Sequence, residues 1–118
     1  MWKAIGLALL LSGCSVIQTA AYDPGEYWLV SSIRAQARTN DCSDTAKDKL
    51  HELVTHLVLH SQGLPHNSQQ VKLDQELQTV IDSLWSAPNS SLYYCTAVLK
   101  TIDRMAERLQ LVTGSKPR

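Results

Sequence analysis

The stretch CTAVLKTIDRMAERLQLV, Cys95 to Val112, decides the fold. Cys95, Val98, Leu99, Ile102, Met105 or Ala106, Leu109 and Val112 recur at intervals of three and four, so they share one side of an α-helix. The charged residues fall on the other side. This helix is expected over about Ser91 to Thr113, with Gly114 as its stop and Pro117 barring its resumption.

Upstream, SAPNSS (Ser86 to Ser91) is a break, and before it a helix over roughly Gln69 to Trp85 carries Val71, Leu73, Leu77, Val80, Ile81, Leu84 and Trp85. SQGLPHNS (Ser61 to Ser68) is the clearest loop, with Gly63 as a stop and Pro65 just beyond. A helix over about Asp44 to His60 presents Ala46, Leu50, Leu53, Val54, Leu57 and Val58 on one face. TNDCSD (Thr39 to Asp44) separates it from the first helix. That one opens with Asp23 as N-cap, Pro24 at the first helical position and Glu26 in the capping-box position. Its apolar positions are Tyr27, Val30, Ile33 or Arg34, and Ala37. No strand pattern exceeds four residues, so the expectation is an all-α, four-helix domain over residues 24–114 with a tail over 115–118.

The N-terminus has a different character. Met1-Trp2-Lys3 is followed by the uncharged apolar run Ala4 to Gly13, the layout of a secretory signal peptide. The run is too short for a permanent membrane span, which needs about 20 apolar residues. Leu11-Ser12-Gly13-Cys14 resembles the lipobox of bacterial lipoproteins. That resemblance implies a signal peptide over residues 1–13 and a diacylglyceryl group on the Cys14 thiol. It also implies acylation, with palmitate as the representative chain, of the amine that cleavage frees. Residues 14–23 are then a lipidated cysteine and its tether. Serine at position 15, where aspartate would favour the inner membrane, implies the periplasmic face of the outer membrane.

Removing the first 13 of 118 residues leaves 105, enough for one small domain with one core. The 11 basic and 11 acidic residues balance, and losing Lys3 barely alters this, so nothing favours nucleic acid. With Cys14 taken by lipid, Cys42 and Cys95 remain, and in an oxidising compartment two such cysteines are expected to pair.

Motifs for catalysis are weak. HELVTH, His51 to His56, looks like the zinc-protease signature but has one residue too many. Its histidines therefore diverge by about 140° around the helix instead of about 40°. His56, His60 and His66 make a three-histidine alternative, but no placed carboxylate accompanies them. Lys100, Arg104 and Arg108 form a basic line, with Asp103 and Glu107 three residues on from Lys100 and Arg104 and expected to neutralise them. Serines and threonines sit at caps and breaks, where backbone hydrogen bonding accounts for them. The expectation is no enzyme, no cofactor and no metal.

Aromatic residues carry more. Adjacent helical residues cannot both point inward, so one each of Tyr27-Trp28 and Tyr93-Tyr94 is expected at the surface, where aromatics are favoured anchors for partners. All four are candidate partner-binding residues. The lipobox at Cys14, cysteines after the first helix and near the start of the last, and their spacing of about fifty residues together resemble the secretin pilotins of type II secretion. These are small four-helix lipoproteins whose groove takes a helix from the secretin's C-terminal end, which implies helix-in-groove recognition here. A weaker resemblance, to phage-type outer-membrane lipoproteins, implies an outer spanin that pairs with an inner-membrane protein during host lysis, or an exclusion lipoprotein.

Overall fold

The computed structural model describes residues 20–87 and 89–118. The expected signal peptide, Cys14 and the tether as far as residue 19 lie outside the described residues, as does Pro88. Four helices follow in order: α1 Pro24–Arg38, α2 Asp44–Gln62, α3 Ser68–Trp85 and α4 Leu92–Gly114. α1 packs on α2 and α4, and α3 packs on the same two, so the helices close a ring. Short connections make sequence neighbours antiparallel, and the result is an up-down-up-down bundle.

Caps set the helix starts. The Asp23 carboxylate accepts from the Glu26 amide at 2.8 Å, Ser43 from Ala46 at 3.2 Å and Ser91 from Tyr94 at 3.1 Å. Each satisfies a backbone donor that the first turn leaves without a partner. At the other end of α1, Asn40 turns the chain away with a left-handed φ of 55°, which asparagine tolerates well.

The expected stripes meet in the middle. Val30, Ile33, Leu50, Val54, Leu57, Leu77, Ile81, Leu84, Leu99, Ile102 and Ala106 are all buried in one cluster. Of the alternatives left open, Ile33 is the core residue and Arg34 half-exposed; Ala106 is fully buried, with Met105 packed against its rim. Tyr27, Trp85 and Val112 were expected in the apolar stripes but are exposed. All three lie within a few residues of a helix end, where the opposing helices cover that face only in part.

Cys42 and Cys95 form a disulfide, with Cα atoms 6.2 Å apart, that ties the entry to α2 to the first turn of α4. Gly114, read as a stop, is instead the last residue of α4. A Cβ there would sit 3.2 Å from the Tyr27 ring, so glycine lets α1 and α4 close at this end.

One expected charge pattern is corrected. Asp103 and Glu107 do not neutralise Lys100 and Arg104 along α4. Arg34 reaches across from α1 to take both, at 3.0 Å and 3.6 Å, and also donates to Gln110 at 2.7 Å. A guanidinium offers five donors in a planar fork, so one arginine can hold several acceptors on a facing helix.

Candidate interaction surfaces and a buried charge cluster

The starts of α1 and α3 and the ends of α2 and α4 meet at one end of the bundle, where the chain also emerges from residue 20. There the Tyr22 amide donates to the Pro117 carbonyl at 2.8 Å, and the Arg118 guanidinium lies 4.4 Å from the centre of the Tyr22 ring. Between them sits Glu26. Its position suggested a capping box, but the side chain does not turn back to its own helix; it is 0 % exposed and faces inward. One carboxylate oxygen accepts from the Ser61 hydroxyl at 2.7 Å and from the Asn67 amide at 2.8 Å. The other accepts from the Lys116 ammonium, which also donates to Asn67 Oδ1 at 2.9 Å. Asn67 sits at the N-cap position of α3 without capping it, because its side chain belongs to this cluster.

A second carboxylate lies close by. Asp74 is fully buried, and its Oδ1 accepts from the Gln70 amide at 2.8 Å. Among the described residues, Asp74 Oδ2 and Gln70 Oε1 have no hydrogen-bond partner. Burial pushes the Asp74 carboxyl up to about 6, and the Glu26 charge adds to that, against the pull of Ser61, Gln70 and Lys116. A proton on Asp74 turns an orphan acceptor into a donor, which suits a site with two acceptors to spare.

This has a pH signature. A carboxyl raised in the folded state binds more protons there than in the unfolded chain between pH 3.8 and about 6. Its contribution to stability is therefore fully present below that window and lost as pH rises through it. Asp74→Asn, a mimic of the protonated form, is expected to raise stability at neutral pH by on the order of 3 kcal/mol. The gain should close as pH falls toward roughly 4, as read from urea midpoints of both proteins. A gain independent of pH would mean that Asp74 is not the group that titrates.

Two concavities open at this end. A cleft of about 420 Å³ is lined by Ala20, His66, Asn67, Gln70, Lys116 and Pro117, among others. A shallower groove of about 360 Å³ runs between α1 and α2, lined by Gly25, Trp28, Leu29, His56, Leu59 and His60. Trp28 and Leu59 are each 63 % exposed on its rim. Tyr27, next to Trp28, instead packs over Gly114 and lies 6.1 Å from the Tyr22 ring. His60 Nε2 lies 2.6 Å from Asp23 Oδ1. Partial burial pushes Asp23 up, but the Glu26 amide and His60 together hold it below its ordinary value.

The far end is built differently. Leu92, Tyr93 and Tyr94 open α4 and are 69 %, 85 % and 41 % exposed. Here neither tyrosine of the pair is buried, because Cys95 takes the inward position. Leu92 is a third exposed apolar residue that the aromatic criterion passed over. The disulfide fixes this turn from one side. From beneath, Lys47 donates to the Ala87 carbonyl at 3.4 Å and the Ser90 hydroxyl at 3.3 Å. Trp85, at the end of α3, stacks on His51 with ring centres 4.0 Å apart. Its indole donates to Asp48 at 2.8 Å, and Asp82 holds His51 Nδ1 at 2.9 Å.

The histidines thus go to separate places: His51 to Trp85 and Asp82, His56 and His60 to the α1–α2 groove, His66 to the neighbouring cleft. Among the described residues, no three His, Cys, Asp or Glu side chains gather as a metal-binding group. No described helix is long and apolar enough to cross a membrane. No family model matches the chain, and no curated protein or solved structure does either.

Proposed function

We propose that this chain is a non-catalytic outer-membrane lipoprotein, held on the periplasmic face through acylated Cys14, that serves as a protein-interaction module. The observation that carries the reading is the Leu92-Tyr93-Tyr94 ridge, three apolar side chains in solvent on a turn fixed by a disulfide. A turn whose backbone the disulfide already holds loses little main-chain freedom on binding, which suits an interface anchor. The ridge lies about 33 Å along α4 from the end at which the chain emerges, so an anchored domain would hold it away from the lipid. The disulfide supports an oxidising compartment. The acids and bases that the fold gathers hold one another, Glu26 with Lys116 and His60 with Asp23.

The pilotin-like layout makes the C-terminal helix of a secretin the first partner to test. A photoreactive residue at Tyr93, crosslinked in the native host, should capture one envelope protein that mass spectrometry can identify. A secretin tail would support a pilotin-like chaperone of a secretion complex. An inner-membrane lysis protein would support an outer spanin, and a receptor blocked from the periplasmic side would support exclusion. Capture of no protein at all would remove the ridge as an interface.

A further inference from the structure

We propose that the groove between α1 and α2, rimmed by Trp28 and Leu59, seats on the lipid surface, with the headgroup–acyl boundary of the anchoring leaflet as its occupant. The inference rests on the lipidation of Cys14 and adds to it an orientation for the domain.

Reach comes first. Five residues, Ser15 to Thr19, and so six Cα-to-Cα steps, separate the acylated position from Ala20. Even fully extended they span only about 20 Å. Ala20 lines the cleft beside Lys116 and Pro117, so the tether enters at the end of the bundle that carries the groove. Trp28 lies four residues into α1 and Leu59 three residues from the last of α2. Both are therefore about one turn from that end face.

The chemistry suits an interface between water and hydrocarbon. Tryptophan is favoured at membrane boundaries, where its ring sits at headgroup level. Around Trp28 and Leu59 the rim is polar, with His56, His60 and its partner Asp23. Arg118, lying over Tyr22, adds a cation at the same end.

Size argues against a helical partner in the same place. The groove takes one turn of each wall, Gly25 to Leu29 and His56 to His60. That is about 6 Å of each helix, whereas a docked helix with anchors from i to i+7 needs about 10 Å. A flat, laterally fluid surface needs no such length. With this end down, α4 stands away from the bilayer and lifts Leu92, Tyr93 and Tyr94 toward the periplasm.

The chain has three tryptophans, Trp2, Trp28 and Trp85, and Trp2 falls within the signal peptide. The mature, lipidated protein with Trp85→Phe therefore reports on Trp28 alone. It would be placed in vesicles of phosphatidylethanolamine and phosphatidylglycerol with brominated acyl chains, after a mass measurement of the Cys14 modification. Trp28 emission is expected to fall about twofold relative to unbrominated vesicles. Trp85 in the companion Trp28→Phe protein should be unaffected. Equal, negligible quenching of both, with the acyl groups present, would overturn the docking and leave the anchor standing. A blue shift that grows with protein density and shows no bromine quenching would assign the groove to a second copy instead. Absence of acyl groups on Cys14 would overturn the anchoring itself, and the orientation with it.

Discussion

Cys42→Ser is expected to lower the melting midpoint by on the order of 15–25 °C. The bridge spans a sequence separation of 53 residues, so its loss frees more than half of the folded domain in the unfolded state. The chain-entropy relation makes that worth on the order of 4 kcal/mol. A domain of this size has about 5–15 kcal/mol in total. Reduced wild-type protein, Cys95→Ser and the double variant should all melt together with Cys42→Ser, since each removes the same single constraint. A variant whose midpoint matches that of the oxidised protein would mean the bridge does not hold the fold.

Lys116→Ala is expected to cost about 3–5 kcal/mol, because it leaves the Glu26 carboxylate buried without its cation. Deleting residues 115–118 should do the same, although these residues lie beyond the last helix. The companion experiment separates pairing from packing. Glu26→Leu combined with Lys116→Met removes both charges and keeps most of the volume, and it should recover most of the loss. Urea denaturation of the three proteins measures this. A Lys116→Ala variant within about 0.5 kcal/mol of wild type would show the pair to be solvated in solution.

The contrast between these two contacts shows what the sequence made legible. The disulfide followed from counting cysteines once Cys14 was set aside, and the four helices from apolar spacing and caps. Those signals are local or compositional, and the helix boundaries fell within a residue or two of the expected ones. Glu26 was misjudged because three residues after an N-cap is also where a capping box puts its acid. Local spacing cannot see a lysine 90 residues away. Arg34 was a similar case: it sat in the apolar stripe as an alternative to Ile33, and its acceptors lie on α4.

The surface was legible in part. That at least one of Tyr27 and Trp28 would be exposed follows from helical geometry, and in the structure both reach the surface, Trp28 the further. Tyr27 is the less exposed because its ring lies against Gly114. Leu59 and Leu92 escaped notice because an exposed leucine carries no signal in a sequence. Only the fold shows that one completes the Trp28 rim and the other the Tyr93 ridge. Trp85 misled in the opposite direction, since its place at the end of an apolar stripe suggested core, while its indole reaches out to His51 and Asp48.

The most direct test of the proposed function is the intact mass of the mature protein extracted from membranes of its native host, with fragmentation of the N-terminal peptide. The expected species begins at Cys14 and carries a diacylglyceryl group on the thiol and a further acyl chain on the amine. Cys14→Ser should abolish both groups and release the domain into the soluble fraction. A mature chain that starts elsewhere, or a Cys14 with an unmodified thiol, would contradict the anchor and the periplasmic interaction module built on it.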